Sequence, residues 1–269
     1  MPEGHTVHRT ANQFRSKFLN QPLAVDSPQG RFSASAAQIS GLALSESYAI
    51  GKQLFLVFDE REVLRIHLGI YGKWKWHKEP FASGFLSEPP VGEVRARFYD
   101  QSWLAELRGP TVCEVISREE ARAVHDRLGP DPLNPDPGHA ERERFVARVR
   151  RSGQSIAQLL MDQSVISGVG NVYRAELLFR AGLDPYLPGK QLSTEILQVL
   201  WQDAVRLLEV GVKTGVMITR DDFLAADPGK PERNFVYKRE GDPCRQCGTD
   251  VKIAILSGRK LYWCPTCQR

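Results

Sequence analysis

The chain lacks any apolar run close to the roughly 20 residues that a membrane-spanning helix requires. Its polar opening, PEGHTVHRT, also lacks the apolar stretch of a signal peptide. Both absences point to a soluble, intracellular protein. Charge of one sign is not in marked excess, since 36 Lys and Arg against 32 Asp and Glu leave +4 over 269 residues, so the total says little about partners. No internal repeat and no low-complexity tract is present. Cysteine is sparse, at five, but four of the five stand in close pairs. With 42% hydrophobic and 25% charged residues, the chain has the makings of two domains and a sizeable core.

The distribution of charge says more than its sum. From Lys230 to Arg269 there are nine Lys and Arg against four Asp and Glu, a net of +5 on a nearly neutral remainder. A basic patch of this kind neutralises nucleic-acid phosphates. A merely solvated basic face is the other reading, and charge alone favours it.

Val7, Thr10, Ala11, Phe14 and Phe18 recur at helical spacing and predict an amphipathic helix over about 6–19. The short runs LALSESYAI, QLFLVF, EVLRIHL, KWKWH, EVRARFY, WLAELRG and VCEVI then have strand lengths, several with period-two alternation, and YDQS supplies a hairpin turn. These predict an antiparallel sandwich or barrel. LGPDPLNPDPG, residues 128–138, holds four prolines and marks a domain boundary. Beyond it ERERFVARVRR, SIAQLLMDQSV, YRAELLFRAG and STEILQVLWQDAVRLLEVGV carry apolar residues at helical steps. The expected organisation is a β-sandwich domain over 1–127, a linker over 128–138, a helical domain over 139–238 and a finger over 239–269.

The most specific local signal is Cys244-x2-Cys247, sixteen residues, then Cys264-x2-Cys267. Two thiolate knuckles at this spacing close a tetrahedral zinc site, and VKIAILSGRKLYWC between them alternates like a hairpin. A pair of disulfides is the alternative, disfavoured by the missing signal peptide and by the unpaired Cys113. Four protein thiolates leave zinc no open position, so one structural Zn2+ is expected. The hairpin tip SGRK would project Arg259 and Lys260, and Arg259 offers a planar fork for phosphate. Zinc ribbons also bind proteins, so the finger alone does not decide the partner.

SGVGNVYRAE places Gly168 and Gly170 in a tight turn and Asn171 as the N-cap of a helix starting at Val172. The amides of such a terminus hold an anion, although a purely structural turn reads equally well. Pro2, once Met1 is removed, presents a secondary amine that can attack an electrophilic carbon and form an iminium. Glu3 beside it can serve as acid or base. Lys52 opens an otherwise apolar strand in AIGKQLFLVF, a position where lysine is usually just solvated.

Taken together, MPEG at the start, GK before the apolar strand, LGPDPL at the boundary, LLMDQSVISGVGNVYRAE, and REGDPCRQCG followed by GRKLYWCPTCQ resemble the formamidopyrimidine-DNA glycosylase and endonuclease VIII family of bacterial DNA-repair enzymes. The resemblance covers nearly the whole chain. It implies an α+β multidomain protein with an N-terminal antiparallel β sandwich and leading helix, a helix-two-turn-helix domain, and a C-terminal four-cysteine zinc finger. Pro2 is then implied as the nucleophile at the sugar C1′ of a damaged nucleotide, Glu3 as the group aiding sugar-ring opening, and Lys52 as a contact to the flanking phosphate. Asn171 and Arg259 match the family's phosphate-binding positions. The implied activity is base removal followed by strand cleavage through β- and δ-elimination. The implied partner is damaged DNA, with no membrane and a monomeric chain in the cytoplasm, at the nucleoid during repair.

A base cannot be reached while stacked, and an extruded nucleotide leaves a hole. Within HLGIYG, Ile70 and Tyr71 form an apolar and aromatic wedge to fill it, although a plain hairpin turn accounts equally for the backbone. Two departures stand out: Thr6 where endonuclease VIII-like members often carry Glu, and Gly69 where a polar Gln is common. The Arg-Phe pair with which formamidopyrimidine-type members read the opposite base has no counterpart around LRGPTVCEVI. The sequence therefore favours the endonuclease VIII branch and oxidised pyrimidines, ahead of oxidised purines. A non-catalytic DNA-binding or scaffold protein that kept the finger would show a changed Pro2, Glu3 or Lys52, and all three are present.

Overall fold

The computed structural model describes residues 2–223 and 232–269; Met1, whose removal the reading of the terminus requires, and residues 224–231, which include Lys230 of the basic tail, lie outside them. The chain forms two compact units that meet in sequence between Arg127 and Leu128.

In the first unit a helix, α1 (Gly4–Phe18), precedes β1 (Ala24–Asp26), α2 (Ser33–Ile39), β2 (Leu44–Ile50), β3 (Gln53–Phe58), β4 (Glu62–His67), β5 (Lys73–Lys78), β6 (Val94–Tyr99), β7 (Trp103–Arg108), β8 (Val112–Ile116) and α3 (Arg118–Arg127). The strands make two four-stranded antiparallel sheets, ordered β2-β3-β4-β8 and β1-β6-β7-β5. Leu54, Leu56, Phe58, Leu64 and Ile66 of one sheet share a core with Ala96, Phe98, Ala105 and Leu107 of the other. Val7, Ala11, Phe14 and Phe18 of α1 join that core, and the two phenylalanines, each with no exposed surface, contribute about 1.5–3 kcal/mol apiece.

QLFLVF reads as a continuous apolar run because both faces of β3 are covered. Leu54, Leu56 and Phe58 enter the core, while Phe55 stacks on Tyr48 at 5.1 Å and meets the edge of His125 of α3 at 4.7 Å between ring centroids. Trp74 and Trp76 of β5 pack on Phe14 at 5.0 and 5.2 Å. On β7, Glu106 is fully buried and held by Arg97 and Arg108, so a charged residue in WLAELR lies inside the fold. β1, α2 and α3 are not legible as periodic patterns. The first is only three residues long, and α3 buries just Ala121 and Val124 among charged neighbours.

The second unit contains α4 (Ala140–Arg150), α5 (Ile156–Leu159), α6 (Asn171–Arg180), α7 (Thr194–Thr214), β9 (Lys252–Leu256) and β10 (Arg259–Trp263). The proline-rich stretch packs into this unit instead of crossing solvent. The Gly129 N–H donates to the Gln163 carbonyl at 2.7 Å, and the Ser167 N–H donates to the Pro130 carbonyl at 2.9 Å. A Cβ on Gly129 would lie 2.7–2.8 Å from the backbone of Ser164 and Val165, so only glycine permits this approach.

The helix expected over SIAQLLMDQSV is a correction. A Ser155–Gln158 capping box starts α5, but it stops at Leu159. Downstream, the Asp162 carboxylate accepts from the Ser164 N–H at 2.8 Å and from its hydroxyl at 2.7 Å. This local bonding turns the chain where apolar periodicity alone would continue the helix.

Candidate functional site

Glu3 precedes the first turn of α1 with extended backbone and no side-chain cap bond. Its carbonyl accepts from the Thr6 N–H at 3.0 Å, and the residue has no exposed surface. Helix α1 therefore begins two residues earlier than its periodicity predicts, directly after the Pro-Glu pair. His5 is also buried, and burial together with the positive charges of the amino terminus and Arg9 pushes its imidazole down to about 4, so it is neutral at pH 7. Its Nε2 lies 3.1 Å from the Thr6 hydroxyl.

Pro2, Thr6 and Arg9 line a cleft of about 510 Å³ together with Leu68, Ile70 and Tyr71. The β4–β5 loop that supplies its far wall is a tight turn closed by the Gly72 N–H donating to the Leu68 carbonyl at 2.9 Å. At its tip Ile70 is 47% and Tyr71 85% exposed. The structure thus brings Pro2, Ile70 and Tyr71 to one cleft. Lys52 does not line it. It stands in the β2–β3 turn, next to Gln53, which pairs with His67. Its charge, after burial, helps hold the His67 imidazole below its usual value.

In the second unit the four cysteine Sγ atoms lie within 4.8 Å of one another, with Cys244–Cys267 at 3.8 Å and Cys247–Cys264 at 3.5 Å. A tetrahedron of sulfurs at Zn–S of about 2.3 Å has edges of about 3.8 Å, so the site fits one zinc ion. Thr249 donates from its backbone and hydroxyl to Cys247 and holds that thiol down at about 6, toward the thiolate that a metal needs.

The two-residue tip between β9 and β10, Ser257 and Gly258, has positive φ at both positions, 49° and 72°. That is the primed turn suited to a tight hairpin. Arg259 and Lys260 follow it, exposed. The hairpin is not a separate body. Leu261 joins the helical core, Gln158 donates to the Ser257 hydroxyl at 3.1 Å, and the Lys260 carbonyl accepts from Asn171 Nδ2 at 2.9 Å and from Arg174 at 2.8 Å.

These bonds correct the expected N-cap role of Asn171. The N-cap of α6 is Gly170, and Asn171 is the first helical residue, 7% exposed. Its side chain grips the finger backbone and accepts from Arg174 instead of capping its own helix. The glycine turn before it is shaped by Gln163, which accepts from the Gly168 N–H at 3.1 Å and donates to the Val169 carbonyl at 3.0 Å.

Arg174 and Glu176 are determinants that sequence reasoning missed. Glu176 is fully buried and accepts from the N–H groups of Phe235, Val236 and Tyr237 at 2.7, 2.9 and 2.8 Å, and from the Thr219 hydroxyl at 2.6 Å. The structure buries α6 on every side from Asn171 to Phe179, whereas four of its ten residues are polar or charged, so its sequence carries no signal that Arg174 and Glu176 lie inside. Glu176→Gln exchanges an acceptor oxygen for a donor facing backbone donors. It is expected to lower unfolding stability by about 1–3 kcal/mol per donor left unpaired, read from urea midpoints, and an unchanged midpoint would remove this role.

Three family models match in the same order as these elements: the formamidopyrimidine-DNA glycosylase N-terminal domain over residues 1–111, the formamidopyrimidine-DNA glycosylase H2TH domain over 128–222, and the zinc finger found in FPG and IleRS over 241–269. Endonuclease 8 1 of Mycobacterium tuberculosis is 43% identical over 275 residues, covering 100% of both chains. The formamidopyrimidine-DNA glycosylase of Thermus thermophilus is 31% identical over 280 residues, covering 100% of this chain and 98% of its own. In fold, the chain is similar to the Lactococcus lactis Fpg in its crystal complex with N7-benzyl-Fapy-dG DNA, with a TM-score of 0.81 at 21% identity and full coverage of both chains. With full-length identity of this order and the three matched domains in sequence, the chain belongs to the formamidopyrimidine-DNA glycosylase and endonuclease VIII family.

Proposed function

We propose that this protein is a bifunctional DNA glycosylase and abasic-site lyase of base excision repair, acting as a monomer on oxidised pyrimidines. The observation that carries the reading is the cleft holding Pro2 at the head of α1, with Glu3 buried beside it and Ile70 and Tyr71 exposed across it. The free Pro2 nitrogen attacks C1′ of an extruded nucleotide and the bond from C1′ to the base breaks, the base leaving with a proton. Glu3 assists proton transfer to O4′ as the C1′–O4′ bond opens and the iminium forms. The iminium acidifies the C2′ proton; its removal expels the 3′ phosphate, and a second elimination expels the 5′ phosphate.

Lys52 serves the flanking phosphate, and Ile70 and Tyr71 fill the space the nucleotide leaves. Asn171 and Arg259 take further phosphates. With the Asn171 side chain engaged by the finger backbone, the donors left to it are those of the α6 N-terminus, whose dipole favours an anion. Zinc holds the hairpin that carries Arg259 and takes no part in the chemistry. Two features support the pyrimidine reading: the endonuclease 8 name of the 43% identical relative, and the three-residue β7–β8 loop of Gly109, Pro110 and Thr111, which has no Arg-Phe pair. Borohydride added to the Met1-free protein and a duplex containing an oxidised pyrimidine is expected to reduce the iminium and leave protein linked to DNA. Absence of any linked product overturns the reading.

Arg259→Ala is expected to weaken DNA binding and to reduce the slope of log K against log salt by about 1. Titrations at several salt concentrations measure it, and an unchanged slope takes Arg259 off the list of phosphate contacts.

A further inference from the structure

The cleft that holds Pro2 does not end at the amine. Along α1 its wall is formed by Thr6, Arg9 and Gln13, three to four residues apart and so on one face of the helix, and the facing wall by Lys73, Trp74 and Trp76 of β5. β5 is the outer strand of its sheet and pairs only with β7, so no further strand closes this wall. Both tryptophans are half-buried, packed on Phe14 and lining the cleft with what remains exposed. No acidic side chain is among the described residues that line it. Past Trp76 the same chemistry continues. Lys17, in the last turn of α1, lies 5.8 Å from the Trp76 ring centroid and 3.3 Å from that of Trp103, and Lys78, at the end of β5, lies 5.4 Å from the Trp103 centroid. Burial and then the Lys78 charge push the Lys17 ammonium below its ordinary value, with no carboxylate to offset them. Two like charges over one indole repel, and an anion between them relieves the repulsion. Helix α1 has 15 residues, so cations and aromatic rings alternate over a strip of about 22 Å leading away from the nucleophile.

We propose that this strip is a binding groove for single-stranded DNA, receiving the unpaired arm of the damaged strand beside the nucleotide that reaches Pro2. The inference deepens, and rests on, the reading of Pro2 as the nucleophile. Interleaved cations and aromatic rings match what an unpaired strand offers: its phosphates meet the cations and its bases the rings, with no demand for a particular sequence. A paired duplex cannot use the rings, because its bases are stacked on one another. An acidic peptide is served by the lysines, but it leaves the indoles between them and Pro2 unused and has no reason to run on from the nucleophile. The substrate class that follows is a lesion with unpaired DNA beside it, as in a bubble, a fork or a single-stranded gap.

The test is a fluorescence-anisotropy titration of an undamaged oligothymidylate at several salt concentrations, with the double variant Lys17→Gln/Lys78→Gln, which removes two surface charges at the end of the groove remote from Pro2. Loss of two phosphate contacts is expected to lower the slope of log K against log salt by about 1.4 and to weaken binding about 10-fold at physiological salt. Borohydride trapping at limiting protein on an abasic site in a bubble should fall by a like factor, while trapping on a fully paired abasic duplex stays at the wild-type level. Lys17→Arg/Lys78→Arg is expected to keep all three at the wild-type level. An unchanged slope and affinity in the glutamine variant overturn the proposal, and so does an equal loss of trapping on bubble and duplex, which would make the lysines general DNA contacts or supports of the fold. Binding of an acidic Glu-Phe peptide that depends on both lysines, with no such dependence for the oligothymidylate, gives the groove to a protein partner and also overturns it. Failure of the wild-type protein to trap any abasic DNA would overturn the parent reading alone, because the titration involves no chemistry.

Discussion

Pro2→Gly is expected to abolish most of the borohydride-trapped complex with DNA bearing an oxidised pyrimidine. A free α-amino group titrates near about 8 and is only in part neutral at pH 7, so the attacking nitrogen depends on its setting. Proline adds a second constraint: its ring ties the nitrogen back to the side chain, so the amine cannot rotate about the N–Cα bond as the chain enters α1. Glycine keeps an amine but frees that rotation. Glu3→Gln separates the two halves of the reaction. It is expected to slow base release by about 100- to 10,000-fold, the usual contribution of a positioned acid or base. Trapping on a preformed abasic site should persist, because that sugar already exchanges with its ring-opened aldehyde and needs no proton delivered to O4′ before the amine condenses with C1′. Trapping of equal yield from a protein whose amino terminus is blocked would place the nucleophile elsewhere, and mass spectrometry of the intact chain must accompany the assay.

Zinc removal is expected to have the largest effect on structure. Structural zinc contributes on the order of 10–16 kcal/mol in isolated fingers, comparable to the whole stability of an ordinary domain. Here the four thiolates clamp the two ends of the β9–β10 hairpin, and Leu261 and the Lys260 carbonyl tie that hairpin to the helical core and to Asn171 and Arg174. Chelation, or Cys264→Ser, should therefore release one zinc per chain, melt the hairpin and expose the buried side of α6. The sandwich has its own core and should survive as a separate cooperative unit. Calorimetry with a colorimetric zinc assay checks this: the second-unit transition should fall and DNA affinity collapse, with the first-unit transition in place. An unchanged transition after full zinc loss would show that the finger is held by packing alone.

Much of this molecule is readable locally. The period-two runs of the sandwich, the 3.6-residue pattern of α1, α4 and α7, and the paired cysteines each involve residues only a few positions apart. At that range backbone geometry and ligand spacing leave few alternatives. The exposed Ile70 and Tyr71 were visible because apolar residues on a short glycine-flanked turn have nowhere to bury. By contrast, α5 looked longer than it is because the Asp162–Ser164 bonds compete with helix over a span where apolar periodicity persists.

By itself the sequence determined the strand and helix types, the four-thiolate zinc site and the placement of a secondary amine at the chain's head, since these follow from residue chemistry and short-range spacing. Only the tertiary structure decided which charged residues are interior, that Asn171 serves the finger 89 positions away instead of its own helix, that the proline-rich stretch belongs to the second unit, and that Lys17 and Lys78 meet over Trp103. A hydrogen bond or a cation–π contact depends on distances in space, and residues far apart in the chain acquire those distances only when the whole core packs.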